Sequence, residues 1–169
     1  MTRASVETRM TTTDLLKARL AIVRRDFDHV LDRLEDDFLP WTPADGLRTV
    51  GEHLFCVVGK EIELLDWMKK RGEGEWVEIE PTHVGGKEDS VEGWRIVLLD
   101  ARNQTLGLLN SLSEVDLEAV VKFPGDWWEG LLLTELPMHE CFRTIAFHEW
   151  YHTGQLDSYL ALKGRPPKE

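Results

Sequence analysis

Apolar residues recur at three- and four-residue intervals in four separate stretches of this chain, with polar residues between them. This spacing places the apolar side chains on one face of an α-helix. It predicts helices over Thr13–Asp37, Thr49–Arg71, Ser90–Leu112 and Thr134–Lys163. The apolar stripe of the first helix consists of Leu16, Leu20, Val23, Phe27, Val30, Leu31 and Leu34.

Residues that favour helix ends flank these stretches. Thr13 or Asp14 is the expected N-cap of the first helix, and Thr134 that of the last, because a short side-chain oxygen accepts from free backbone N–H groups. Gly72 is expected to end the second helix, since glycine readily adopts the left-handed conformation of a C-terminal cap. Gly164, followed by two prolines, is the corresponding stop after the last helix.

The segments between the predicted helices differ in character. Pro40–Gly46 (PWTPADG) has the composition of a turn. Gly72–Ser90 is rich in glycine and charged residues, which predicts a long loop with one short β-like segment, Trp76–Ile79. Ala119–Leu136 indicates a short hairpin or an ordered loop that contains two adjacent tryptophans, Trp127 and Trp128.

The pattern therefore predicts an all-α protein, a four-helix bundle. We expect a single domain over residues 13–164, with a flexible tail at residues 1–12 and a short tail at 165–169. The long loop between the second and third helices allows a crossover, so simple up-down-up-down order does not follow. The length of 169 residues suits one domain with a substantial core.

Charge and composition narrow the classes of function. The 31 acidic and 20 basic residues give a net charge of −11, which repels nucleic acid and anionic membranes. No stretch is long and apolar enough to span a bilayer, and the N-terminus does not resemble a secretory signal. Two cysteines, Cys56 and Cys141, do not make a disulfide framework. We expect a cytoplasmic protein with reduced thiols and a small-molecule substrate.

The most specific chemical feature is the pair His148 and His152 in the segment HEWYH. Histidines four apart on a helix lie one turn apart and about 40° around its axis, so both rings can reach one metal ion. Both lie on the inward stripe of the last helix, where unpaired polar groups are costly. His53, beside the apolar stripe of the second helix, is the best candidate for a third ligand.

The other histidines fit a metal site less well. His29 is flanked by aspartates and reads as solvated, and His83 lies in the long loop. His139 is offset from the inward stripe of the last helix. Cys56 and Cys141 can each approach the metal from their helices, although free cysteines are more often small buried hydrophobic residues.

The histidine pattern resembles that of the DinB-like (YfiT-like) metal-binding four-helix bundles. That family has one histidine on the second helix and a His-x3-His pair on the last, followed by a Gly-Gln-Leu run. Here TVGEHLFCVVGKE contains His53, HEWYHTGQLDSYLALKG contains the pair and the run, and WTPADG resembles the family's turn. The resemblance extends from Leu15 to Gly164 and is strongest around His148 to Leu160.

The resemblance implies a function as well as a fold. It implies one divalent transition metal, zinc or nickel before cobalt, manganese or iron, held by His53, His148 and His152 with an open position. It also implies a homodimer and, in some members, a transferase or isomerase reaction of a low-molecular-weight thiol such as bacillithiol or mycothiol. The residues of a thiol-binding pocket cannot be matched in this chain.

The residues themselves leave two alternative functions open. HEWYH is literally His-Glu-x-x-His, the motif of zinc hydrolases in which the glutamate, here Glu149, is the general base. Alternatively, the histidines hold a structural metal in a closed site of a non-catalytic bundle that serves dimerisation or binding. Gln155, Glu52 and Glu61 are candidates for side chains that hydrogen-bond to the metal ligands and orient them. For the two glutamates, the simpler interpretation is that they are solvated.

Overall fold

The computed structural model describes residues 10–80, 90–124 and 134–166, and it shows an all-α bundle. The helices are α1 (Thr12–Leu31), α2 (Val50–Lys69), α3 (Val91–Ser111), the short α4 (Glu114–Glu118) and α5 (Met138–Leu162). A 3-10 turn, Asp36–Phe38, follows α1. Strands β1 (Val120–Lys122) and β2 (Glu135–Pro137) pair antiparallel, with Val121 opposite Leu136.

The four long helices run up, down, down and up in chain order. One core cluster joins the C-terminal halves of α1 and α5 to the N-terminal halves of α2 and α3. A second cluster joins the opposite halves of all four helices. Neighbours around the bundle are α1 with α5, α5 with α2, α2 with α3, and α3 with α1. Because α2 and α3 are parallel, α2 ends and α3 begins at opposite ends of the bundle, which is the crossover order that the long loop allows.

The start of α1 differs from the prediction. Thr11, rather than Thr13 or Asp14, is the N-cap, and Asp14 completes a capping box by accepting from the Thr11 backbone N–H. The helix also ends at Leu31 instead of Asp37, because Glu35 is extended at φ −122° and ψ 156°. This break lets Phe38 fold back and cover the end of the first core cluster.

The predicted hairpin is confirmed, and it corrects the start of the last helix. Residues Glu135–Pro137 pair with β1, so α5 begins at Met138 and Thr134 does not cap it. The β-like piece Trp76–Ile79 forms no strand. The short helix α4 was not predicted. His83, Trp127 and Trp128 lie outside the described residues.

A search of the described helices for one that could cross a bilayer finds none.

Gly72 joins α2 to the hairpin at a close backbone contact and gives a test of the fold. Its φ is +75°, and a Cβ there would lie 2.7 Å from the Lys122 carbonyl oxygen. Gly74 has a similar φ of +87° but nothing within 4 Å of such a Cβ. We expect Gly74→Ala to cost about 1–2 kcal/mol from conformation alone, and Gly72→Ala about 1–3 kcal/mol more from the clash. Chemical denaturation of both variants checks this, and equal losses would contradict the contact.

Candidate metal centre

Three histidines meet at the interface of α2 and α5. His53, in the first turn of α2, and His152, on α5, are both buried, with 3% and 2% of their surfaces exposed. Their Nδ1 atoms lie 2.9 Å apart. His152 Nε2 lies 3.2 Å from His148 Nε2, one turn earlier on α5. His152 is therefore the middle ring of a line of three.

Cys56 joins this group from α2. One donor atom from each of Cys56, His148 and His152 lies within 4.8 Å of the other two. Two nitrogens bound at 2.0–2.1 Å to one tetrahedral ion lie about 3.3–3.4 Å apart, and a nitrogen and a sulfur about 3.6 Å. The observed separations of 3.2 Å from His148 to His152, and 3.7 Å from His148 to Cys56, are close to these values.

His53 lies beside this set of mutually close donors rather than within it. Its Nδ1 faces His152, while its Nε2 is buried and has no hydrogen-bond partner among the described residues. A buried nitrogen without a partner is costly, and coordination of an ion is one way to satisfy it. The three-histidine ligand set stays a prediction, and Cys56 is a donor that the histidine pattern did not include.

The surroundings of the three histidine rings favour their uncharged form. Burial lowers the pKa of His148 to about 4 and that of His152 to about 3, and it lowers the pKa of His53 as well. The positive charge of Arg48 acts in the same direction on all three. The imidazoles are therefore neutral at neutral pH, the form in which histidine binds a metal.

The surroundings of the rings come mainly from α5. Tyr159 packs edge-on against His53 with ring centroids 5.1 Å apart, and Tyr151 packs against His152 at 5.3 Å. Gln155 donates to the Tyr151 hydroxyl, and its side chain also acts against the lowering of the His152 pKa. The predicted supporting role of Gln155 toward the ligands stays a prediction.

Glu52 has a different local role from the one considered for it. Its carboxylate accepts from the backbone N–H of Thr49 at 2.6 Å and closes the capping box of α2. The negative charge still raises the pKa of the neighbouring His53, against the larger effect of burial. The structure therefore shows an electrostatic influence on His53, and the hydrogen bonds of Glu52 go to the helix end.

Glu149 is neither solvated nor free. It is 1% exposed, accepts from Arg102, and has its Oε1 2.6 Å from Arg24 Nε. Burial raises the pKa of its carboxyl, and the two arginines oppose that rise. A general base must face the reacting water, whereas this carboxylate is engaged by two cations. Its catalytic role stays a prediction that the ion pairing disfavours.

Glu61 corrects the expectation of a solvated glutamate. It is 1% exposed and accepts from Arg102 Nε at 2.8 Å, with Arg24 Nη2 at 3.4 Å. Together, Arg24, Glu61, Arg102 and Glu149 form a buried charge layer with one residue from each long helix. The carboxylates outweigh the effect of burial and raise the pKa of Arg102. The layer therefore fixes how the four helices face one another.

The remaining candidates lie elsewhere. Cys141 belongs to the second core cluster, and burial raises the pKa of its thiol to about 12. His29 is exposed, as expected. His139 lies near the hairpin end, with its Nδ1 3.1 Å from the Leu117 carbonyl oxygen. None of these three is in the donor set described above.

Sequence reasoning named Cys56 as a possible donor but missed Arg102 and Arg24, the buried partners of Glu149. Cys56 is three positions after His53, which places the two on neighbouring parts of one helix face, and this spacing was a usable signal. Arg102 follows Leu98 at the four-residue spacing of a core stripe, as Glu61 follows Val57. Charged residues at core positions indicate partners on other helices, although they do not say which.

Comparison with known proteins identifies the family and the fold. No curated protein matches the chain. The structure is similar to the crystal structure of an uncharacterised protein from Escherichia coli UTI89, at 12% identity and a TM-score of 0.64 over 95% of this chain and 99% of that one. That likeness supports the fold alone. Residues 19–156 match the DinB superfamily, and the chain therefore belongs to the DinB superfamily.

Proposed function

We propose that this protein binds one divalent transition metal, zinc or nickel, through His53, His148 and His152, with Cys56 as a further donor. The observation that carries the proposal is the cluster of donor atoms from Cys56, His148 and His152 between α2 and α5, with His53 beside it, its Nδ1 2.9 Å from His152 Nδ1. The orphaned Nε2 of His53 supports it, because the described surroundings offer that nitrogen no other partner. DinB superfamily membership is compatible with it.

We further propose a metal-dependent enzyme that activates a low-molecular-weight thiol or water. A divalent ion held by neutral imidazoles lowers the pKa of a thiol or water bound to it. The chain's own contribution is to keep the rings neutral by burial and to hold them with aromatic neighbours from α5. We also propose that it acts on a small molecule as a homodimer, as the family resemblance implies, and in the cytoplasm, as the signal-free N-terminus and the two unpaired cysteines suggest.

The position of Cys56 favours a second candidate, a structural metal in a non-catalytic bundle. If Cys56 and all three histidines bind the ion, four protein ligands close the site, as in structural zinc centres. If Cys56 remains outside, one position stays open to a substrate. A hydrolase of the His-Glu-x-x-His type is the least supported of the three candidate functions, because the Glu149 carboxylate is paired with Arg24 and Arg102.

Metal content and ligand identity test the proposal together. We expect elemental analysis of the purified protein to give one zinc or nickel ion per chain. Reconstitution with Co²⁺ reports the ligands, because a cobalt–thiolate bond adds a strong near-ultraviolet absorption that imidazole ligands lack. Loss of this band in Cys56→Ser, with the ion retained, would identify Cys56 as a ligand.

The matched control is Cys141→Ser, which removes the other thiol, in the second core cluster. It should leave both the metal content and the cobalt spectrum unchanged. A folded wild-type protein that takes up no zinc, nickel, cobalt or manganese at neutral pH would refute the metal site. A cobalt spectrum without the thiolate band would leave the three-histidine site with an open position.

A further inference from the structure

The outward side of α5 carries large apolar side chains that stay exposed within the described chain. The opposite side of the helix packs into the bundle through Ile145, Leu156 and their buried neighbours. On the outward side, Phe147, Trp150 and Tyr151 are each more than half exposed. Single exposed apolar residues are ordinary on a protein surface, but three large aromatic rings within five positions of one helix indicate a contact surface.

The spacing of residues on this side is that of a helix-pairing face. Arg143, Phe147, Trp150, Gly154 and Asp157, here called the outer stripe, follow one another at steps of four, three, four and three residues. This spacing places them along one side of the helix, as in a coiled coil. Gly154 is a gap in that side, because a Cβ there would meet nothing within 4 Å. The outer stripe therefore combines two protruding rings, a gap, and charges of opposite sign at its two ends.

The outer stripe is complementary to itself when two copies of α5 lie antiparallel. Arg143 and Asp157 are seven positions before and after Trp150, while Phe147 is three before and Gly154 four after it. With Trp150 at the two-fold axis, Phe147 of each copy faces Gly154 of the other, and Arg143 faces Asp157. A symmetric contact between identical subunits needs such a self-complementary surface.

The charges at the ends of the outer stripe also favour the antiparallel order. Within one chain Arg143 pairs with Glu140, and Asp157 pairs with Arg33. Both pairs are partly exposed, so they can join across the contact into one network with two charges of each sign. A parallel order would bring the two Arg143 side chains together, and likewise the two Asp157 side chains, which like-charge repulsion disfavours.

A groove beside the outer stripe is suited to a cationic side chain. It lies between α1 and α5 and has a volume of about 500 Å³. Its lining includes three aspartates, Asp26, Asp32 and Asp157, and one arginine, Arg33. Arginines outside the lining pair with two of these aspartates. In the antiparallel order Arg143 of the partner subunit lies next to Asp157, at the edge of this acidic groove.

We propose that two copies of this chain dock through the outer stripe of α5, antiparallel about Trp150, with Phe147 of each copy over Gly154 of the other. The inference rests on the homodimer of the proposed function and names its surface, which that proposal leaves open. The donor atoms of His148 and His152 lie on the side of α5 that faces α2. Docking through the outer stripe therefore leaves the candidate metal centre within each subunit.

Filling the gap tests the docking without disturbing the single chain. Gly154→Leu adds a side chain where a Cβ meets nothing within 4 Å, but this side chain takes the place of Phe147 of the partner subunit. We expect sedimentation over a concentration series to give a dimer dissociation constant at least about thirtyfold weaker than that of the wild type, the size of losing one interface hot spot. Gly107→Leu is the matched control, because Gly107 of α3 is also exposed with an open Cβ position. It should dimerise like the wild type.

Disulfide trapping tests the antiparallel order. A mixture of Phe147→Cys and Gly154→Cys proteins should form a cross-linked dimer on mild oxidation, because these two positions face each other across the contact and neither faces itself. Mass spectrometry of the digested dimer identifies the bridge and separates it from any bridge through Cys56 or Cys141. A mixture of Phe147→Cys with Gly107→Cys should give no bridge between the two introduced thiols.

The outcomes separate this surface from the proposed function. A wild-type protein that sediments as a monomer would refute both the homodimer and its surface. A dimer that Gly154→Leu weakens no more than Gly107→Leu does would overturn the surface alone, as would a bridge from Phe147→Cys to itself in preference to Gly154→Cys. Zinc content measured on the same samples reports the metal site independently, since docking through the outer stripe does not need the ion.

Discussion

Arg102→Met is expected to lower the free energy of unfolding by about 3–5 kcal/mol, since removing one partner of a buried ion pair leaves an uncompensated charge. Arg102 is 4% exposed and donates to Glu61, to Glu149 and to the Leu20 carbonyl oxygen. Methionine fills a similar volume but donates nothing. Arg24 alone would then face two buried carboxylates. Chemical denaturation at neutral pH measures the loss.

Two controls separate the buried layer from a general effect of losing an arginine. Arg95→Met removes an exposed ion pair with Asp32 and should cost no more than about 1 kcal/mol. The double variant Arg102→Met/Glu149→Met should be more stable than Arg102→Met, because Glu61 keeps Arg24 as its partner. A loss below about 1 kcal/mol in Arg102→Met, or a double variant with additive losses, would show that the layer is not a coupled unit.

The pH dependence of the same variant follows from the pKa of Glu149. Burial already raises that pKa, and removal of Arg102 takes away an opposing effect. A folded-state pKa above the unfolded value means that the folded state binds more protons, so the stability contribution falls as pH rises. The deficit of Arg102→Met relative to wild type should therefore be largest at neutral pH and shrink as the pH falls toward the ordinary range of a glutamate.

The helices were predictable because each buries one stripe. Val50, Leu54, Val57 and Leu64 mark the core face of α2 in the sequence and lie in the core of the structure. The direction of each helix was not predictable, since a stripe is equally well buried whichever way its helix runs. The predicted helix ends were wrong where another local structure replaced the helix. Glu135–Pro137, for example, pairs in the hairpin instead of extending α5.

The candidate site was predictable to the extent that it lies on one helix. The four-residue spacing of His148 and His152 fixes their common face before any tertiary contact is known. The contact of His53 with His152 depends on the packing of α2 against α5, so the sequence supported it only through the core stripe and the family resemblance. The burial and ion pairing of Glu149 depend on Arg102 and Arg24, which lie 47 and 125 positions away in the chain. No local sequence pattern identifies these two partners.

The charge layer and the histidines are neighbours on α5, and this links stability to the site. Glu149 directly follows His148 and lies three positions before His152. Because Arg102 and Arg24 hold Glu149 toward the interior, the rotation of α5 about its axis is fixed, and His148 is turned toward Cys56 on α2. The buried charge layer thus determines which side of α5 faces α2, and with it the position of the donor atoms of His148 and His152.

His152→Ala is expected to weaken metal binding more than a hundredfold, because His152 is the ring that contacts both other histidines. Losing a partner one step removed from a metal already costs about 10–100-fold in affinity, and a direct ligand should cost more. With excess metal, a hundredfold weaker Kd removes about 2.7 kcal/mol of ligand-induced stabilisation. Competition with a colorimetric chelator gives the Kd, and thermal unfolding with and without zinc gives the stabilisation.

The control for this variant is His29→Ala, which removes an exposed histidine of α1. It should bind zinc as tightly as the wild type and show the same rise in Tm on metal addition. The stability of metal-free His152→Ala must be measured separately, since a buried ring is lost and the core near His53 is left with a cavity. A variant that keeps the wild-type Kd would place the ion away from His152, and the convergence of α2 and α5 on a common ion would then have to be abandoned.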